Sequence, residues 1–381
     1  MKKTVTLLLV FFTALTGYSQ KTTQEIEDLM KNYHEHNNFI GTVVVAKEGE
    51  ILYSNGFGYA NIAHEVENTP KTKVRLASVT KQFTSMLVMQ KVAEGKMDLE
   101  ATINEYIPEY PEPQGSKVTI HHLLSHTSGF PHYAGIPNFT PDYSRLPWEH
   151  RDFVELFWDL DLIFEPGEEY SYSSFGYYLL GYILEEVSGK DFDKLLEEQI
   201  LDPVGMHNTG IIDHKTILKN EAEGYNHSLD GFVKANFRDL STALATGDMY
   251  TTVKDMVLWE RAIAKNKLLD EELQSKIFTP NIDGYGYGWR IQKVGLNEED
   301  SVQVNGHGGS TNGFQCLARR IPADDYYVGV FANVRPIARS EMVNNIIRVL
   351  YDQPVDFIRS GRVATARVLE KEGVEEAVEH F

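Results

Sequence analysis

Two hydrophobic periods alternate along this chain. Residues 22–37 ("TTQEIEDLMKNYHEHN") set Ile26, Leu29, Met30 and Tyr33 three and four apart, which predicts a helix with one apolar side. "FIGTVVVAKEGEILYSNGFGYAN" (39–61) then reads as two strands joined by a turn at Glu48-Gly49, and strand texture stops near Pro70. From Ser78 to about Lys234 the period becomes helical, as in 83–93, "YLLGYILEEVSG" (178–189) and "FDKLLEEQIL" (192–201). Loops rich in Pro, Gly and Tyr separate these pieces. "IPEYPEPQGS" (107–116) and "GFPHYAGIPNFTPDYSRLP" (129–147) are long enough to read as binding loops. Strands return in "YGYGWRIQKV", "SVQVNGHG", "GFQCLARRI" and "YYVGVFAN", and a helix follows at about Arg339–Tyr351.

Strands at both ends of a helical middle predict an α+β fold: one antiparallel β-sheet flanked by helices, plus an inserted mainly helical lobe. The sheet lobe is expected at about 20–77 and 235–353, the helical lobe at about 78–234, and a charged, helix-prone tail at 354–381. A cleft between lobes is the natural place for a site.

Residues 1–19 stand apart. Lys2-Lys3 precede an apolar run from Val5 to Leu15, and Gly17-Tyr18-Ser19 offers small residues before Gln20. This reads as a secretory signal peptide, too short to span a bilayer, so the protein is expected to be exported, periplasmic or secreted, without a membrane anchor after cleavage. The formal charge of −19 disfavours nucleic acid and anionic membranes as partners and otherwise reads as solubility. Cys316, the single cysteine, allows no intramolecular disulfide and reads as a small buried hydrophobe.

Three short stretches carry candidate chemistry. Ser78-Val79-Thr80-Lys81 falls where strand-like sequence gives way to a helix, so Ser78 and Lys81 share a face. The Ser78 amide would be an unpaired donor at a helix start, facing a developing oxyanion, and a lysine in apolar surroundings can accept a proton. Tyr172-Ser173-Ser174 precedes the helix led by Phe175, and a phenol whose pKa a nearby lysine lowers could shuttle the serine's proton. His307-Gly308-Gly309-Ser310 ends one strand and leads to the next. Its two glycines leave room for a substrate backbone against the strand, and the Ser310 amide could be a second oxyanion donor.

Taken in order, these three stretches resemble the class C β-lactamase-like serine hydrolases, a family of β-lactamases, D-Ala-D-Ala carboxypeptidases, esterases and D-amino-acid peptidases. "TIHHLLSHTSGF", "EPGEEYSYSSFGYYLLGYILEEVSG" and "TGDMYTTVKDMVLWERAI" are similar to its recurrent segments, over about residues 25–352. The resemblance implies a β-lactamase/transpeptidase-like fold and an acyl-enzyme on Ser78. It gives proton transfer to Lys81 and Tyr172, and an oxyanion hole to the amides of Ser78 and Ser310. Ser174 would bond Lys81 or substrate, and His307, Gly308 and Gly309 would line the substrate strand. It implies no metal or other cofactor, a small-molecule or peptide substrate, and a monomer.

Serine at 174, where many relatives carry asparagine, and histidine at 307, where many carry lysine, argue against an efficient β-lactamase. An ester or D-amino-acid amide substrate is expected first, with β-lactamase or D-Ala-D-Ala carboxypeptidase as the alternative. A penicillin or muropeptide sensor that acylates without turnover is the alternative from another class, and the intact Lys81 and Tyr172 argue against it. If His307 bound a carboxylate, anion affinity should rise below about pH 6.5. His122 and His126 lie four apart but no carboxylate or cysteine completes a metal site, and "HTSG" at 126–129 follows a helix rather than a strand. Tyr133, Tyr143 and Trp148 divide evenly between lining the acyl pocket and capping the helical lobe.

Overall fold

A computed structural model describes residues 20–357, except 37, 134, 135, 137, 138 and 230. The expected signal peptide and residues 358–381 of the expected tail lie outside the described residues.

Six strands form the main antiparallel sheet: β1 (Gly41–Lys47), β2 (Glu50–Phe57), β3 (Arg290–Gly295), β4 (Ser301–Thr311), β5 (Phe314–Ile321) and β6 (Tyr326–Ala332). Their order is β3-β4-β5-β6-β1-β2, so N-terminal and C-terminal segments meet where β1 pairs β6, Gly41 opposite Ala332 through Lys47 opposite Tyr326. The β1–β2 turn is the expected one. Glu48 and Gly49 have φ of 53° and 82°, the left-handed pair that a two-residue hairpin turn requires.

Alternation along β1 sorts the core onto two faces. Val43 and Val45 join Ile26, Leu29, Met30 and Tyr33 of helix α1 (20–35) on one face, while Val44 and Ala46 face the helical lobe. The main helices of that second layer are α2 (Lys81–Ala93), α3 (Ile120–Ser125), α4 (Ser174–Ser188) and α5 (Val253–Ala264). Helix α6 (Arg339–Leu350) packs beside α1 through Met342, Val343, Ile346 and Ile347.

Two details depart from the sequence expectation. A short hairpin, Tyr225–Ser228 with Gly231–Lys234, interrupts the span expected to be helical. Strand β3 begins only at Arg290, and its pairing with β4 ends at Gly306 opposite Arg290. Residues His307–Thr311 of β4 therefore continue past the end of β3 with no partner strand on that side among the described residues.

Candidate active site

Ser78 sits in a 3₁₀ turn, Ala77–Thr80, from which α2 starts at Lys81. In a 3₁₀ turn residues three apart eclipse one another, so Ser78 and Lys81 stack more directly than on an α-helix. Ala77, just before the nucleophile candidate, is held at φ 46°, a left-handed conformation that costs an L-residue roughly 1–2 kcal/mol. The surroundings hold it there. Leu76 N–H donates to Met249 O at 2.9 Å, and the Cys316 thiol to Leu76 O at 3.1 Å. Cys316 is buried, as expected for a small hydrophobe, and also braces the turn.

Strand β4 presses against the same turn. A Cβ at Gly309 would lie 2.2 Å from Leu76 O and 2.6 Å from Cys316 Sγ, so only glycine fits. At Gly308 a Cβ would meet the Arg339 guanidinium at 3.0 Å. The glycines thus make room for the nucleophile turn and for an arginine, a different reason from the substrate backbone inferred from sequence.

Ser78 is partly exposed between buried neighbours. It opens on two cavities, of about 770 and 380 Å³, and both are lined by Ser78 and Ser310. The larger is also lined by Tyr133, Ser174 and Arg238, the smaller by Tyr172, His307, Arg290, Arg319 and Arg339.

Lys81 is fully buried, and its Nζ donates to Thr246 O at 3.1 Å and Ser174 Oγ at 3.3 Å. Burial strips the ammonium of water and brings the amine down to about 7, so a large fraction is neutral at physiological pH. The amine lies 5.1 Å from the Tyr172 ring centroid and 5.5 Å from that of Tyr177.

Tyr172 differs from expectation. Burial raises its pKa, and this outweighs the lowering influence of the Ser78 and Ser174 hydroxyls. Its buried hydroxyl makes no hydrogen bond within normal geometry, so those hydroxyls lie near it without an aligned bond. The group is a neutral phenol at pH 7, because burial penalises the phenolate more than its polar neighbours stabilise it.

His307 also departs from expectation. Its Nδ1 lies 2.7 Å from Gly308 O and its Nε2 2.9 Å from the Tyr285 hydroxyl, which fixes Nδ1 as donor and Nε2 as acceptor. Burial, reinforced by Lys81, drives the imidazole down to about 3. It does not titrate near 6.5, and the expected strengthening of anion binding below that pH has no source here.

Several residues enter the site that sequence reading did not assign. Arg238 Nη2 donates to the Tyr133 hydroxyl at 3.0 Å, and that hydroxyl lies 3.4 Å from Thr246 Oγ1. Burial raises the Tyr133 phenol, but the charges of Arg238 and Lys81 outweigh it and leave the group below its ordinary value. Tyr133 therefore lines the cavity, whereas Tyr143 and Trp148 pack against the core, with Trp148 Nε1 donating to Tyr143 O at 3.1 Å. Thr246 opens "TGDMYTT", the one signal that could have marked it. His122 is used within the fold, its Nδ1 accepting the Thr119 N–H at 3.2 Å.

The smaller cavity is strongly basic. Among the described residues, neither Arg319 nor Arg339 has a carboxylate partner. Arg339 donates to Gly309 O and to Cys316 O. Arg319 is buried with its Nε unpartnered, and burial together with Arg339 brings it down to about 10.

A buried lysine of lowered pKa thus lies one turn from a part-exposed serine that lines both cavities. The beta-lactamase family model matches residues 26–353. The chain belongs to the beta-lactamase family. It is 28% identical to a putative penicillin-binding protein, PbpX, of Bacillus subtilis, over 90% of this chain and 82% of that protein. Protein flp of Staphylococcus aureus is also 28% identical, over 92% of this chain and 69% of its own length. Among solved structures, the octameric penicillin-binding protein homologue of Pyrococcus abyssi superposes with a TM-score of 0.76 at 26% identity, covering 92% of this chain and 81% of that one. The D-amino acid amidase of Ochrobactrum anthropi shares the fold, with a TM-score of 0.75 at 24% identity, over 88% of this chain and 99% of that one. Beta-lactamase family membership places the chain among serine hydrolases of the β-lactamase and penicillin-binding-protein fold.

Proposed function

We propose that the protein is an exported serine hydrolase that cleaves an ester or a D-amino-acid amide through an acyl-enzyme on Ser78. The observation that carries this reading is the fully buried Lys81, held by Thr246 O and Ser174 Oγ one 3₁₀ turn from Ser78, with its amine brought down to about 7. Neutral Lys81 takes the Ser78 proton as Oγ attacks the substrate carbonyl. The amides of Ser78 and Ser310, residues that line both cavities, stabilise the oxyanion. The Tyr172 phenol passes a proton to the leaving group and is reprotonated by Lys81, which returns Lys81 to its neutral form; the same groups then activate water to release the acyl chain. Ser174 holds the Lys81 amine, while Gly308, Gly309 and His307 shape the strand against which the acyl group lies. Export is inferred from the basic start and apolar run within residues 1–19.

The arginines favour a second reading within this chemistry, a D,D-carboxypeptidase-type substrate with a free carboxylate. Arg290, Arg319 and Arg339 line the smaller cavity beside Ser78, two of them without a carboxylate partner among the described residues. A charge-assisted contact contributes about 1.5–3 kcal/mol. Arg339→Gln is accordingly expected to raise KM for a carboxylate-bearing substrate about tenfold or more, with much less effect on a neutral ester. Equal effects on both substrates would remove the anion-binding role.

Hydrolysis rates on p-nitrophenyl esters, D- and L-phenylalanine amide, a D-Ala-D-Ala dipeptide and a penicillin test the assignment. Ester or D-amide turnover, with slow or no penicillin turnover, is expected. Efficient penicillin turnover would overturn the substrate order, and a stable penicillin adduct without turnover of any substrate would favour a sensor.

A further inference from the structure

The sequence contains a second histidine motif, "HTSG" at 126–129, that the chemistry above does not use. Its histidine is not at the surface. His126 is 1% exposed and ends α3 in the left-handed conformation, φ 59° and ψ 34°. That backbone turn aims both its carbonyl and its ring at the segment carrying Tyr172. The Ser171 N–H donates to His126 O at 2.9 Å, and the Ser173 N–H donates to His126 Nδ1 at 3.2 Å. Residues on either side of Tyr172 are thus tied to one residue. Between the two bonds, the His126 ring packs on the Tyr172 ring with centroids 4.3 Å apart. Tyr177 and Tyr285 close the other sides at 4.9 and 4.6 Å.

We propose that His126 is a positioning residue for Tyr172, clamping residues 171 and 173 by its carbonyl and its Nδ1 acceptor. The proposal rests on the reading of Tyr172 as the proton-transfer group. The Tyr172 hydroxyl makes no aligned hydrogen bond of its own, so its position depends on backbone and ring contacts. Ser173 extends the clamp, because its side chain caps the start of α4 by accepting the Gly176 N–H at 3.4 Å. For Nδ1 to accept, the ring must be neutral with its proton on Nε2. Burial, with Lys81, His307, Arg290 and His132 nearby, holds the imidazole well below its ordinary pKa.

Two substitutions separate positioning from bulk packing. Asparagine tolerates the left-handed backbone and can place Oδ1 near the Nδ1 position, so His126→Asn keeps the acceptor and loses the ring. His126→Phe keeps a ring and loses the acceptor. A displacement of about 1 Å at a reacting group can cost about 100-fold. His126→Phe is expected to lower kcat on a p-nitrophenyl ester about 100-fold with little change in KM, and His126→Asn to restore most of that loss. Wild-type kcat in the Phe variant, or equal losses in both, would overturn the clamp. Nitrogen-15 NMR of the ring in the wild-type protein judges the contact without activity and without a variant that must fold. An unprotonated Nδ1 with a protonated Nε2 at pH 7 is expected, and a protonated Nδ1 would overturn the proposal. Failure of the underlying reading is seen separately, as full hydrolysis by a Tyr172→Phe protein whose His126 tautomer is the expected one.

Discussion

Replacing Ser78 with alanine is expected to lower kcat/KM on every substrate by about 10⁴-fold or more while leaving the protein folded. The argument starts from the turn. Ala77 already holds the left-handed conformation, and Ser78 contributes no side-chain bond that fixes the start of α2. Alanine keeps the Cβ and removes only the hydroxyl that opens on both cavities. Neither Ser174, whose hydroxyl accepts from Lys81, nor Tyr172, whose hydroxyl is buried, substitutes for it. Unchanged melting with lost turnover is the expected pair of results; turnover within tenfold of wild type would remove Ser78 as nucleophile.

Lys81→Met is expected to cost about 10³–10⁴-fold in kcat/KM and to raise the melting temperature, two opposite effects with one cause. The amine is held in an apolar interior by two hydrogen bonds, and burial lowers it from an ordinary value of 10.5 to about 7. The unfolded chain therefore binds this proton more tightly than the folded one. Lys81 costs no stability above about pH 10.5, and its cost grows as pH falls toward 7 and then levels. Methionine fills the same space without that cost. The same shift sets the acid limb of activity in the wild-type protein. Neutral Lys81 is the working form, so kcat/KM should rise with pH through about 7 and fall about tenfold per unit below it. Because His307 is held down to about 3, it should add no second step between pH 5 and 8. A limb centred near 4, or a variant less stable than wild type at pH 7, would contradict this account of Lys81.

Much of this architecture is legible in the chain itself, and the reason is periodicity. Strands β1, β5 and β6 alternate or run apolar, α1 and α6 keep an apolar side, and their predicted positions match within a few residues. Ser78, Lys81 and Tyr172 stand out because local sequence places them at element starts. What local sequence does not carry is where pairing stops. The open edge at His307–Thr311 exists because β3 begins only at Arg290, opposite Gly306, after a turn in which the Gly286 N–H donates to Trp289 O. The proton affinities of Lys81, Tyr172 and His307 follow from burial among segments distant in sequence, which no motif encodes. The basic cavity likewise draws Arg290, Arg319 and Arg339 from β3, β5 and α6. In the sequence His126 stands out only beside His122 and as a duplicate motif, because its partners at 171 and 173 lie more than forty residues away.

The most direct test of the Ser78 acyl-enzyme is intact mass of the protein mixed with a p-nitrophenyl ester and sampled through the first turnovers, followed by peptide mapping. The account predicts a transient gain equal to the acyl group, mapped to Ser78, absent from the Ser78→Ala protein and longer-lived below pH 7. Product release with no such adduct on Ser78, or an adduct that persists in Ser78→Ala, would contradict it.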